Sequence, residues 1–123
     1  MNTTKKILIV EDDELMIKIL VFILEKEGYE LVVLKDGLSA IEQIANINPD
    51  LVITDLILPY KSGLEVISFV KANFENKLIV ALSGLGGEEN AVNEAFNLGA
   101  DDFVSKPFKP KELLLRVQRL LNK

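Results

Sequence analysis

The sequence contains neither cysteine nor histidine among its 123 residues. Without cysteine there are no disulfides, thiolate metal sites or thiol nucleophiles. Without histidine there is no phosphohistidine relay within the chain, no Ser-His-Asp triad and no imidazole-ligated zinc. Long hydrophobic runs are also missing. The first apolar stretch, Ile7 to Val10, is followed at once by carboxylates, and Glu14, Lys18 and Glu25 interrupt or bound the longest one. No window reaches the roughly 18 apolar residues of a membrane span, and the N-terminus lacks the pattern of a signal peptide. The expectation is a cytoplasmic protein with no membrane contact. Positive charge is in deficit: 14 Lys and Arg against 19 Asp and Glu give a net charge of −5, which argues against direct nucleic-acid binding over the whole surface.

What is present is the balance of a globular protein, with 49% apolar and 27% charged residues, and a length that fits one domain spanning residues 1–123. Short apolar runs alternate with helical patterns. Strands are expected at Lys6 to Val10, Leu31 to Leu34, Leu51 to Thr54, Leu78 to Leu82 and Asp102 to Ser105. Helices are expected from Asp13 or Glu14 to Lys26, with a stop at Gly28, from Leu38 to Ala45, Gly63 to Asn73 and Glu88 to Leu98, and from near Pro110 onward. In the last helix Leu113, Leu114, Val117, Leu120 and Leu121 form an amphipathic stripe. Five strands alternating with five helices predict an α/β fold, a doubly wound parallel sheet covered on both faces. In such sheets ligands bind at the carboxyl ends of the strands. The residues there are Glu11, Asp12 and Asp13, then Asp55, then Ser83 and Gly84, then Lys106.

The stretch Ile7-Leu-Ile-Val-Glu-Asp-Asp13, the run Pro49-Asp-Leu-Val-Ile-Thr-Asp55-Leu-Ile-Leu-Pro59 with Gly63 after it, and Gly99-Ala-Asp-Asp-Phe-Val-Ser-Lys-Pro-Phe108 occur in order over essentially the whole chain. Together they resemble the receiver domain of two-component response regulators. The resemblance implies a flavodoxin-like sheet of order 2-1-3-4-5 and a phosphorylation-activated switch. Asp55 would accept phosphoryl from a sensor histidine kinase, a phosphotransfer protein or a small phosphodonor. It implies Mg²⁺ as cofactor, with Asp12 as direct ligand, Glu11 acting through water, and Asp55 and the Ile57 carbonyl completing the protein share. An all-oxygen carboxylate site suits that ion. By the same resemblance Lys106 pairs with the phosphoryl group, Ser83 supplies a hydroxyl, Phe103 is the aromatic that reports the switch, and Lys106-Pro107 is a cis bond. Chemistry would be confined to self-phosphorylation and self-dephosphorylation. Ile57 and Leu85, both apolar, fall where side chains flank the path of attacking water, which implies slow hydrolysis.

The family commonly reaches a downstream protein through its fourth helix, fifth strand and fifth helix, here near Val92, Asp101, Asp102, Glu112, Arg116 and Arg119. Helix four offers Glu88, Glu89 and Glu94 but no Lys or Arg, so Glu112 lacks the basic partner used in one family dimer. A monomer is expected, with dimerisation on phosphorylation the variant reading. Arg116 and Arg119 can pair with Asp101 and Asp102, the plainer reading being a solvated helix face. Plainer readings exist for each motif. Glu11 to Glu14 can cap and charge the first helix, Asp55 can be a turn residue, and Phe103 can pack on the last helix. A phosphorylation-independent pseudo-receiver module is the main rival function. An aspartyl-phosphate phosphatase would need an acid at Ile57, and a flavin carrier would need a glycine fingerprint that Gly84, Gly86 and Gly87 do not make.

Overall fold

A computed structural model describes residues 4–84 and 89–121. Five strands, β1 (Lys6–Val10), β2 (Glu30–Leu34), β3 (Leu51–Asp55), β4 (Leu78–Ser83) and β5 (Asp102–Ser105), alternate with five helices, α1 (Glu14–Glu25), α2 (Gly37–Ile47), α3 (Gly63–Asn73), α4 (Glu89–Leu98) and α5 (Pro110–Leu121). The strands form one parallel sheet in the order β2-β1-β3-β4-β5, as expected of the fold class. Leu85, Gly86, Gly87 and Glu88, to which roles were attached above, lie outside the described residues.

The central strands are buried on both faces because their apolar side chains alternate up and down while the polar residues sit at or next to the strand ends. Leu8, Val10, Val52, Ile79 and Ala81 face one cluster with Ile44, Val66, Ile67, Val70 and Ala95. Ile7, Ile9, Ile53, Val80 and Leu82 face the other with Leu20, Leu24, Leu113 and Val117. The amphipathic stripe of α5 therefore meets the core where its periodicity places it. Helix starts follow local chemistry. Asp13 caps α1 by accepting from the Met16 N–H, Asp36 caps α2 through the Ser39 N–H, and Ser62 and Glu65 make a reciprocal capping box on α3. The second helix differs from expectation: it continues through Asn46 and Ile47 and ends only at Asn48, whose φ is 54°. Asparagine tolerates that left-handed conformation, and here Lys77 Nζ holds its side chain at 2.7 Å.

The turn from β3 into α3 is tight. Gly63 donates its N–H to the Leu56 carbonyl at 3.0 Å, and a Cβ at Gly63 would lie 2.0 Å from the Asp55 carbonyl oxygen and 2.6 Å from Leu56 Cα. Those obstacles are backbone atoms of the strand end that carries Asp55, so they cannot rotate away. Gly63→Ala is expected to cost roughly 1–3 kcal/mol or more, read as a lower urea midpoint. Parental stability in that variant would show that the loop does not approach Asp55 this closely.

Candidate functional site

Sheet register assembles the site. Val10 pairs with Thr54 and Asp55 pairs with Leu82, while Ser83 pairs with Ser105. Glu11, Asp55, Ser83 and Lys106 therefore emerge at the carboxyl end of four adjacent strands. Carboxylate oxygens of Glu11, Asp12 and Asp55 all lie within 4.8 Å of one another. Lys106 Nζ sits between two of them, 3.1 Å from Glu11 Oε1 and 3.0 Å from Asp55 Oδ2. Glu11 is fully buried and Asp55 only 8% exposed, whereas Asp12 faces solvent.

The environment polarises these groups in a definite sense. Burial raises the Glu11 carboxyl above its ordinary value, and the Asp55 charge raises it further; the Asp13 N–H, at 3.2 Å, and Lys106 pull the other way without prevailing. For Lys106, burial opposes the charged form, but hydrogen bonds and charge from Asp55 and Glu11 outweigh it and raise the ammonium above its ordinary value. Lys106 therefore stays a cation at neutral pH.

The peptide joining Lys106 to Pro107 is cis, and the Lys106 N–H donates to the Ser83 carbonyl at 2.6 Å. Ser83 is buried, and its Oγ donates to the Gly84 carbonyl at 3.4 Å. The Ile57 N–H reaches Asp55 Oδ1 at 3.4 Å, and the Ile57 side chain is 65% exposed. Thr54, which the motif reading passed over, donates from Oγ1 to the Asp55 carbonyl at 2.9 Å and so steadies that strand end. Only its polarity in an otherwise apolar strand hinted at a role.

Phe103 is half-buried and stacks edge-to-face on Phe96 of α4, with ring centroids 6.5 Å apart. It joins the core cluster of α2, α3 and α4, not the one beneath α5, which corrects the plain reading that packed it on the last helix. On the neighbouring face, Arg116 pairs with Asp102 at 2.8 Å. Asp101 does not pair with α5. It accepts from Lys71 at 2.9 Å and from the Ile79 N–H at 2.8 Å, because α3 lies closer to it. Glu112 pairs within its own helix with Arg116 one turn on, at 3.5 Å, and α4 carries no Lys or Arg to reach it. A cavity of about 540 Å³ between α1 and α5, lined by Lys18, Phe22, Lys26, Lys111 and Leu114 among others, is separate from the carboxylates.

Three oxyanions in a small pocket with one ammonium form a donor set of oxygen only, and the residues fit a hard divalent ion such as Mg²⁺: Asp12 is accessible, and Glu11 and Asp55 are held in place. No helix among the described residues is long and apolar enough to cross a membrane.

Residues 7–118 match the family described as the response regulator receiver domain. The chain is 35% identical over 121 residues to the DNA-binding response regulator MtrA of Mycobacterium tuberculosis, covering 97% of this chain and 51% of that protein. It thus spans about half the length of the curated relatives it matches. Among solved structures it resembles the chemotaxis response regulator CheY4 of Vibrio cholerae, with a TM-score of 0.87, 27% identity, and 97% and 100% of the two chains covered. It also resembles the signal receiver domain of a signal transduction histidine kinase from Syntrophus aciditrophicus, with a TM-score of 0.88, 31% identity, and 97% and 91% covered.

The raised Glu11 carboxyl has a pH signature. Its stabilising contribution is complete below the unfolded value of 4.5 and is lost as pH rises through the higher folded value. Glu11→Gln removes the charge and keeps one acceptor oxygen, as the protonated carboxyl does. In magnesium-free buffer it should melt at a higher temperature than the parent at pH 7, with the advantage vanishing below pH 4.5. Equal melting at pH 7 would contradict this electrostatic account.

Proposed function

The chain belongs to the response regulator receiver domain family, and on that premise we propose that it is a phosphorylation-activated switch of a two-component system with Asp55 as phosphoacceptor. The observation that carries the reading is the Asp55 carboxylate at a strand end, 3.0 Å from the Lys106 ammonium and beside Glu11 and Asp12.

A carboxylate is a weak nucleophile toward a phosphoryl group because both carry negative charge. Mg²⁺, held by Asp12 and Asp55 with the Ile57 carbonyl and with Glu11 acting through water, would supply charge neutralisation at the transferring oxygens. The protein's own part is positional. Register and the Thr54 and Ile57 contacts fix Asp55, and Lys106 is a compact cation on a flexible stem that can turn from the carboxylates to a phosphoryl oxygen. An oxygen of Asp55 forms the new bond to phosphorus as the bond from phosphorus to the donor breaks. The leaving group, the imidazole of a phosphohistidine or the acid of a small phosphodonor, keeps the electron pair.

In the phosphorylated state Ser83 would donate its hydroxyl to the phosphoryl group and Lys106 would pair with it. Both belong to β4 and β5 ends that lead to Phe103, so loss of their present contacts biases the packing of Phe103 on Phe96. A downstream protein would read that change on α4, β5 and α5. The relatives carry different outputs, so the identity of that target is a property of the surrounding protein or complex. Delivery of phosphate falls to a sensor histidine kinase or a phosphotransfer protein, in the cytoplasm. Ile57, apolar and at the rim, favours a long-lived phosphoryl group because it cannot orient water.

Incubation with Mg²⁺ and acetyl phosphate should add one phosphate by intact mass, with none on Asp55→Asn. Asp12→Ala should remain folded but incorporate at least about tenfold less. Undiminished incorporation in Asp55→Asn would overturn the assignment.

A further inference from the structure

Tyr60 stands in a backbone conformation that tyrosine rarely adopts, with φ at 68°, and it gains nothing for it within the chain. Its side chain is 84% exposed, and among the described residues it has no ring contact and no hydrogen bond. A bulky residue at positive φ is strained, and the conformation persists only where the surroundings impose it. Here they do. The loop between β3 and α3 is closed at its base by the Gly63 N–H on the Leu56 carbonyl. It is tied to α2 by the Gly37 N–H on the Pro59 carbonyl at 3.3 Å, and Gly37 packs so closely that a Cβ there would lie 1.8 Å from the Lys61 oxygen. Ser62 then starts the capping box. With Pro59 and Lys61 both pinned, Tyr60 must reverse the chain between them and project outward.

This ring lies five residues after Asp55, and Ile57, on the same loop, is tied to the Asp55 carboxylate through its N–H. The loop that leads from Asp55 thus carries two largely exposed apolar side chains, Ile57 and Tyr60, while Asp12 at the site is exposed and charged. Because Asp55 is 8% exposed, a donor protein can reach it only by pressing its surface over that loop. A small phosphodonor needs no such contact.

We propose that Tyr60 is a specificity-determining contact for the phosphohistidine protein that delivers phosphate to Asp55, a reading that rests on Asp55 being the acceptor. Tyrosine gives a large contact area at little conformational cost and dominates many interfaces. Its strain is tolerated in the free chain and offset on docking. Stability and transfer should then move in opposite directions when the ring is removed.

Asparagine accepts positive φ without a ring. Tyr60→Asn is expected to raise the melting temperature by about 2–6 °C and to leave labelling of Asp55 by acetyl phosphate within about twofold of the parent, since small-donor chemistry does not use the rim. Transfer from the autophosphorylated histidine kinase of the source organism that labels the parent fastest should fall at least about tenfold, with Tyr60→Phe restoring most of it. Kinase transfer to Tyr60→Asn at the parental rate would overturn the proposal, as would acetyl phosphate labelling of the parent with no kinase able to label it. A parent labelled by neither source would overturn the acceptor reading and this one with it.

Discussion

One ammonium shared by two buried carboxylates is the constraint on which the site depends. Glu11 and Asp55 emerge from adjacent strands, and Lys106 alone among the described cations touches both. Two anions this close in a poorly solvated pocket repel, and a single cation leaves the cluster with an excess of negative charge. The raised Glu11 carboxyl is the local sign of that excess. The pocket is thus built for further positive charge, and the surplus makes a divalent ion complementary to it. A site relaxed in the free state by a second lysine would have less to gain from that ion.

The sheet makes this arrangement affordable. Ile7, Leu8, Ile9 and Val10 are fully buried, as are Leu51, Val52 and Ile53, so the strands are held by apolar burial on both faces at about 25 cal/mol per Å². Parallel register then fixes the polar strand ends relative to one another with little freedom, since a slip of one residue would turn each apolar side chain to the wrong cluster. The rigid core tolerates a charged rim that contributes little to holding the fold together.

Loops at the rim carry the opposite character. Tyr60 sits at positive φ with its ring in solvent, and Ile57 is exposed beside a carboxylate. On the far side of the pocket, the Lys106 N–H binds the Ser83 carbonyl and β5 leads back to Phe103 on Phe96. A change at the carboxylates therefore has a short covalent and packed path to α4, while the Asp102 and Arg116 pair anchors the α5 side.

Periodicity and punctuation alone determined the strands and helices, the fold class and the acidic and basic residues at the strand ends, because an apolar strand and a polar residue after it are local facts. Helix α3 follows its expected bounds, since glycine, the Ser62 cap and the apolar spacing agree. Helix α2 outran its expected end at Ala45 because Asn46 and Asn48 look like breakers locally, while Lys77, far along the chain, holds Asn48 in the left-handed cap. Tertiary structure decided the rest. That Lys106 bridges Glu11 and Asp55, that Asp101 meets Lys71 and not α5, that Phe103 packs toward α4, and that Tyr60 is forced to positive φ by Gly37 and Gly63 all depend on segments distant in sequence. Such contacts are set by sheet register and helix packing, and no local pattern encodes which partner arrives.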